Sequence, residues 1–268
     1  MVSGPSRQQA SPERRAFLAA DWRYLVMLNY VVAPEVLRPL VPAGTLLDMY
    51  DGRALASVVG FRFERTRVLG ASIPWHRSFD EVNLRFYVRR ELPNGEVRRG
   101  VTFVRELVPR AAIALVARFA YNEPYLAVPM RSTAPRVPSD SPGRIAYEWR
   151  IGGRWQHVAA TPVGVPTCPM PGSEAAFVTE HYWGYTRQRN GGTVEYQVTH
   201  PLWRTWVAES PSLDVDVRTL YGAAFEPALS EPPISAFVAE GSAVVVYRPR
   251  WLGADVAGDA RLTGIDRV

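Results

Sequence analysis

Apolar and polar positions alternate with a period of two along much of this chain, and that period predicts strands. Residues 54–68 (ALASVVGFRFERTRV) are β-rich and partly alternating, and 81–91 (EVNLRFYVRRE) alternate strictly. A Pro-Asn-Gly turn at 93–95 joins the latter to 96–107 as a hairpin. Residues 147–160 read as a second hairpin about Gly152-Gly153, and 181–200 as a third about Asn190-Gly191-Gly192. Residues 235–249 close the series of strands.

Helical spacing is rarer. Pro34 to Leu40 makes about two turns, with proline at a tolerated first-turn position. Residues 109–120 (PRAAIALVARFA) place Ala112, Ile113, Val116 and Ala120 on one helical face. Ser173 is an N-cap candidate for EAAFVTE. The Pro-rich stretch 160–172 reads as a loop, and nothing resembles an interdomain linker or a repeat. The pattern predicts one β-rich domain over 19–252, a barrel or sandwich with helical decorations. A polar leader at 1–18 and a C-terminal tail at 253–268 flank it.

Composition narrows the function classes. With 47% apolar content in 268 residues, the chain can fill a sizeable core. No apolar run is long enough to span a membrane, and the leader lacks the apolar stretch of a signal peptide. The lone Cys168 cannot form an internal disulfide, which fits a reducing cytoplasm. All 31 basic residues are arginine, and no lysine occurs. A Schiff base on an enzyme side chain needs a deprotonatable lysine amine, so that chemistry is excluded. The arginines form no coherent stripe with stacking aromatics, so nucleic acid is not an expected partner. Phosphate-loop, dinucleotide, zinc-protease and hydrolase-elbow motifs are absent, and the four histidines show no ligand spacing. Neither a metal nor a cofactor is expected.

Candidate chemistry lies where polar residues share a strand face. In 81–89 the pleat puts Glu81, Asn83, Arg85, Tyr87 and Arg89 on one side and Val82, Leu84, Phe86 and Val88 on the other. That row faces either solvent or a barrel lumen; in a lumen, Arg85 would orient an anion and Glu81 would move a proton. Glu180 and His181 sit where the Ser173 helix hands over to a strand, a place suited to presenting side chains. Asp214 and Asp216 read as solvated edge-strand acids, and His200 as a core histidine. Trp203 and Trp206 read as packing residues rather than a contact surface.

The segments FDEVNLRFYVRR, RGVTFVRELVPRAAIALVARFAYNEPYLAVPM, GSEAAFVTEHYWGY and VTHPLW together resemble the YqjF-like family of bacterial proteins. That family is in turn similar to acetoacetate decarboxylase. The resemblance implies a mainly β (α+β) fold, a closed, cone-shaped β-barrel with flanking strands, a few short helices and a buried apolar pocket. It also implies a homo-oligomer. The decarboxylase's essential glutamate is matched by Glu81 in FDEVNL. Its reactive lysine, inside a Pro-Lys-Lys-Leu-Ala run, is matched by Tyr125 in Pro124-Tyr125-Leu126-Ala127. The fold implication survives that replacement; imine-forming decarboxylation does not.

The expectation is a lysine-independent enzyme of lyase, isomerase or cyclase type, acting on an apolar carbonyl or enol compound. Its catalytic set is Glu81, Tyr125, Glu180 and His181; Arg85, Tyr121, Glu123, Tyr30 and Tyr185 bind the substrate. The alternative is a non-catalytic cup for a hydrophobic small ligand.

Overall fold

The computed structural model describes residues 15–72, 78–109, 122–137 and 139–252. The helix expected at 109–120, Tyr121, most of the leader and the C-terminal tail therefore lie outside the described residues, apart from Pro109.

Among the described residues, sixteen strands form the body of the molecule. In chain order they are β1 (Ala16–Val31), β2 (Leu46–Leu47), β3 (Met49–Tyr50), β4 (Arg53–Val68), β5 (Ala71–Ser72), β6 (Phe79–Glu91), β7 (Val97–Val108) and β8 (Tyr125–Ala127). There follow β9 (Met130–Ser132), β10 (Ile145–Ile151), β11 (Arg154–Thr167), β12 (Trp183–Arg187), β13 (Thr193–Thr199), β14 (Thr205–Asp214), β15 (Ser235–Tyr247) and β16 (Arg250–Leu252). The three expected hairpins are present as β6–β7, β10–β11 and β12–β13. Pro34–Leu37 is α-helical and continues as a 3-10 turn to Leu40. Glu174–Thr179 is a helix whose Ser173 cap accepts a hydrogen bond from the Ala176 amide. No helix among the described residues is long and apolar enough to cross a membrane.

The pairing order β13–β12–β7–β6–β4–β1–β15 returns to β13 through Val198–Val246 and Thr199–Val245, which makes a ring of seven strands. Strand β15 is shared: its residues 237–239 pair with β14, while 245–246 pair with β13. From β14 the sheet continues through β11 and β10 to β9 and folds over the outside of the ring. At Gly60 on β4 the contact is so close that a Cβ would come within 2.6 Å of the Tyr147 ring on β10.

The ring strands are therefore buried on both faces, which separates two apolar compartments. Outside lie Val26, Leu28, Val82, Leu84 and Phe86, packed against Ile145, Tyr147, Trp149 and Trp206. Inside lie Leu25, Met27, Val59, Phe61, Tyr87 and Phe177. Bulges decide which residues belong to which side. Tyr24, at φ 53°, marks a register shift in β1. Trp22 and Leu25 share the inner face across that shift, and Tyr24, Val26, Leu28 and Tyr30 turn outward.

Three sequence readings need correction. Strand β1 starts at Ala16, inside the segment read as leader. The stretch 160–172 is strand as far as Thr167, paired with β14; register shifts bracket Pro162 and contain Pro166, so the ladder tolerates both. Asp214 does end strand β14, but Asp216 caps the Val217–Leu220 helix, accepting from the Thr219 amide at 3.0 Å.

Candidate active site

The inner face of β6 answers the question its alternation leaves open. Glu81, Asn83 and Arg85 are 4%, 2% and 8% exposed, so the polar row points into the ring. There they line a cavity of about 140 Å³. That volume is close to the roughly 150 Å³ that holds a benzene ring in an apolar protein interior.

The neighbouring strands complete the site. Asn83 pairs with Glu106 on β7 because a register shift between Leu84 and Arg85 skips one residue of that strand. Without the shift, alternation from Val101 and Phe103 would bring Arg105 inward; instead Arg105 turns out, its Nε donating to the Leu220 carbonyl at 3.4 Å. Strand β8 runs parallel to β7 with Tyr125 beside Glu106. The chain reaches it through Asn122 at φ 63°, a residue type that tolerates the left-handed region. The Pro124 carbonyl then accepts from the Glu106 amide, and Glu123 and Tyr125 both face the cavity.

Three carboxyl groups thus converge: Glu81, Glu106 and Glu123. Asn83 Nδ2 donates to Glu81 Oε1 at 3.1 Å. Tyr196 and Thr186 donate to Glu123 Oε1 at 2.6 and 3.1 Å. The Tyr125 phenol lies against Glu106 and Glu123. Gly184 on β12 makes room for the Tyr196 ring, which a side chain there would overlap. Trp22, Phe61, Phe63 and Phe103 supply apolar walls, with Trp22 and Phe61 centred 5.1 Å apart.

Burial sets the protonation of this group. Glu81 is pushed up to about 8, first by burial and then by Glu123, against the opposing pull of Asn83 and Arg85. Burial and the two other carboxylates drive Glu106 well above the carboxylate range. Glu123 is raised by burial but held down by the hydrogen bonds it accepts from Tyr196, Thr186 and Tyr125. The environments therefore separate three identical side chains: Glu106 keeps its proton, Glu123 is the best placed to carry charge, and Glu81 titrates between them. Burial and the surrounding carboxylates raise Tyr125 well above its usual value, so it remains a phenol and a donor.

Arg85 and His181 lie deeper along the barrel. Arg85 Nη2 donates to the Val178 carbonyl of the 174–179 helix at 2.9 Å, while its Nε has no partner. His181 packs on Tyr87 and Phe177, with Nε2 3.4 Å from Asp48 Oδ2. Burial outweighs Asp48 and lowers its pKa to about 4, so the imidazole is neutral.

The cavity gathers Glu81, Tyr125, His181, Arg85 and Glu123 from the expected set. It does not gather Glu180, Tyr30 or Tyr185. Glu180 ends the 174–179 helix half-buried outside the lining, since successive residues at that handover point apart. Tyr30 lies on the outer side of β1, below the Tyr24 bulge. Tyr185 also faces outward and donates to Glu195 Oε1 at 3.2 Å; Gly184 and Thr186 hold the inward positions of β12. Glu106 and Tyr196 are site residues that the sequence reading passes over. Tyr196 shares a strand face with Val194 and Val198, an available signal; Glu106 is concealed by its bulge.

The fold matches known proteins. An enduracididine biosynthesis enzyme, MppR, aligns over 92% of this chain and 91% of its own, with a TM-score of 0.61 and 13% identity. Acetoacetate decarboxylase from Legionella pneumophila aligns over 92% and 93%, with a TM-score of 0.59 and 12% identity. Both likenesses are of fold. In sequence, the uncharacterized protein YqjF of Bacillus subtilis (strain 168) is 28% identical over 214 residues, 79% of this chain and 83% of that one. Residues 19–243 match the model of the uncharacterized conserved family DUF2071, and the chain belongs to that family.

Proposed function

We propose that the protein is a small-molecule enzyme that handles an apolar carbonyl or enol compound by proton transfer, without a covalent intermediate. The observation that carries this reading is the convergence of Glu81, Glu106 and Glu123 on Tyr125 in one largely apolar cavity. A general acid–base group works best when its pKa lies near the working pH, and Glu81 has that property. The Tyr125 hydroxyl would donate to the carbonyl oxygen. Glu81, once ionised, would remove the adjacent C–H proton to give the enol, and protonated Glu106 would return a proton at a second carbon. That sequence is an isomerisation; loss of water from the β-carbon of the enol, or loss of carbon dioxide from a β-keto acid to give an enol that is then protonated on carbon, gives the lyase variants, and ring closure a cyclase. Arg85 Nε would receive an anionic substituent, and neutral His181 closes the deep end. The single Cys168, exposed and unpaired, accords with a reducing compartment such as the cytoplasm.

The test is a panel of β-keto acids, aryl ketones and polyketide-like carbonyls, followed by thermal shift and product analysis with wild type and Glu81→Gln. Turnover should fall by about a hundredfold or more in Glu81→Gln while binding persists. Binding without turnover anywhere in the panel would instead support a hydrophobic cup. Borohydride treatment during turnover should leave no adduct on any side chain; an adduct would overturn the non-covalent mechanism.

A further inference from the structure

Two unpartnered acceptors adjoin the carboxyl cluster, whereas the unpartnered nitrogens of the lining belong to Trp22, Arg85 and His181. Asn83 Oδ1 and Glu106 Oε2, on residues each 2% exposed, have no hydrogen-bond partner. Both lie on side chains that line the cavity, and Glu106 Oε2 is an acceptor once that carboxyl gives up its proton. The nearby donors are already engaged: Asn83 Nδ2 with Glu81, Tyr196 and Thr186 with Glu123, and the Tyr125 hydroxyl with Glu106 and Glu123. Among the described residues the only other basic side chains in the lining are Arg85, one hand of which is held by Val178, and neutral His181. Neither forms an ion pair with the three glutamates. Three carboxyl groups thus share one pocket with no ion pair to any of them among the described residues, Arg85 acting on Glu81 only through its charge, and aromatic faces adjoin them. Among the described residues no group of acidic or imidazole side chains is arranged to hold a metal ion.

We propose that the cavity takes an organic cation: a primary or secondary ammonium on a small apolar body. Its N–H groups would meet Glu106 Oε2, Asn83 Oδ1 and the neighbouring carboxylates, and its apolar part would lie between Trp22, Phe61 and Phe63. An ammonium offers several donors and a full charge, which satisfies the orphaned acceptors and replaces the missing counter-ion. Aromatic walls favour a cation further. Resting on the reading of this cavity as the active site, the inference narrows the substrate to an amine-bearing carbonyl compound.

The groups facing the cluster are Glu81 and Arg85 on β6, Glu106 on β7, Glu123 and Tyr125 at β8, Tyr196 on β13 and His181 beyond the 174–179 helix. Protons held by the carboxyls must leave when a cation arrives. Affinity should therefore rise with pH through the Glu81 range, up to the point where the amine itself deprotonates.

Three probes sharing one ring make the test: benzylamine, benzyl alcohol and benzoate, titrated calorimetrically from about pH 6 to pH 8.5 in buffers of different ionisation enthalpy. Benzylamine should bind at least about tenfold more tightly than the alcohol at the upper pH, weaken by up to about tenfold per pH unit below it, and release close to one proton. Glu106→Gln and Glu123→Gln, both neutral and isosteric, should each reduce the preference for amine while benzyl alcohol still binds. Equal or tighter binding of benzoate or the alcohol, a pH-independent amine affinity, or no benzylamine binding in the millimolar range would overturn the inference. The two readings fail separately. Amine binding with no turnover of any carbonyl leaves the cation site standing without the enzyme; turnover of amine-free carbonyls that benzylamine does not inhibit leaves the enzyme without the cation.

Discussion

Strand β6 carries two rows of side chains that are equally buried and chemically opposite. Outward, Val82, Leu84, Phe86 and Val88 are fully enclosed among Tyr147, Trp149 and their neighbours. Inward, Glu81, Asn83 and Arg85 are as little exposed, yet two of them leave polar atoms without a partner. A buried polar atom without a hydrogen bond costs about 1–3 kcal/mol, and these two border a cavity in which a bound molecule can supply the partner. The outer row is a core that happens to be on a barrel; the inner row is a site that happens to be buried.

The largest effect should come from the outer row. Leu84→Ala removes a fully buried side chain from a compartment closed by the layer of β14, β11, β10 and β9 and should cost about 2–5 kcal/mol in denaturant unfolding. A loss below about 1 kcal/mol would mean that the layer collapses onto the ring easily, and the two faces would no longer differ.

Glu81→Gln should do the reverse. Glu81 has a folded pKa of about 8 against an ordinary 4.5. Below the lower value both states hold the proton. Between the two values the unfolded chain releases it while the folded chain keeps it, so wild-type stability falls as pH rises and levels off above about pH 8. The loss is on the order of 2–4 kcal/mol across the window, and glutamine abolishes it. His181 acts in the opposite sense: with a pKa of about 4 against 6.5, it loses stability as pH falls through that range. The Glu81 effect is therefore read from about pH 7 to pH 8.5, as the difference between variant and wild type. A variant no more stable than wild type at the upper pH would place Glu81 in water.

How much of this was legible beforehand follows the range of the forces involved. The hairpins could be read because Pro-Asn-Gly and the paired glycines act within a few residues. The Ser173 helix declared its own cap. The direction of the β6 inner row could not be read, because strict alternation looks the same over water and over a lumen. Tyr30 and Tyr185 were misassigned for a related reason: the bulge at Tyr24 and the inward glycine at 184 reverse which residues face in, and both depend on partner strands. Glu106 was hidden by a one-residue register shift. Glu81 comes forward from the alternation of 81–89 and again through likeness to a known family, Tyr125 only through that likeness, and what places Glu123 beside them is the Asn122 turn.

Gly184→Ala probes the inner face by steric means. The added methyl would overlap the Tyr196 ring, and displacing that ring from a packed wall should cost about 1–3 kcal/mol. Ligand affinity should fall along with stability, because the same ring donates to Glu123. Retained affinity would separate Tyr196 from the site.

The smallest change tests the charge distribution itself. Tyr196→Phe keeps the ring and deletes only the hydroxyl that donates to Glu123 Oε1 at 2.6 Å. A bond to an ionised acceptor stabilises the charged form, so its loss should raise the Glu123 pKa and leave the cluster with a further proton near neutrality. Carbon-13 labelled glutamate side chains report this directly as a shift in one carboxyl titration. Thr186→Val removes the longer 3.1 Å bond to the same oxygen and should produce a smaller shift in the same direction. The net cost in stability of either change should be about 0.5–1.5 kcal/mol, far below the Leu84 effect. If both substitutions leave every carboxyl titration where it was, the charge does not rest on Glu123. The division of labour among the three glutamates would then have to be reassigned, with Glu81 the first candidate to carry it.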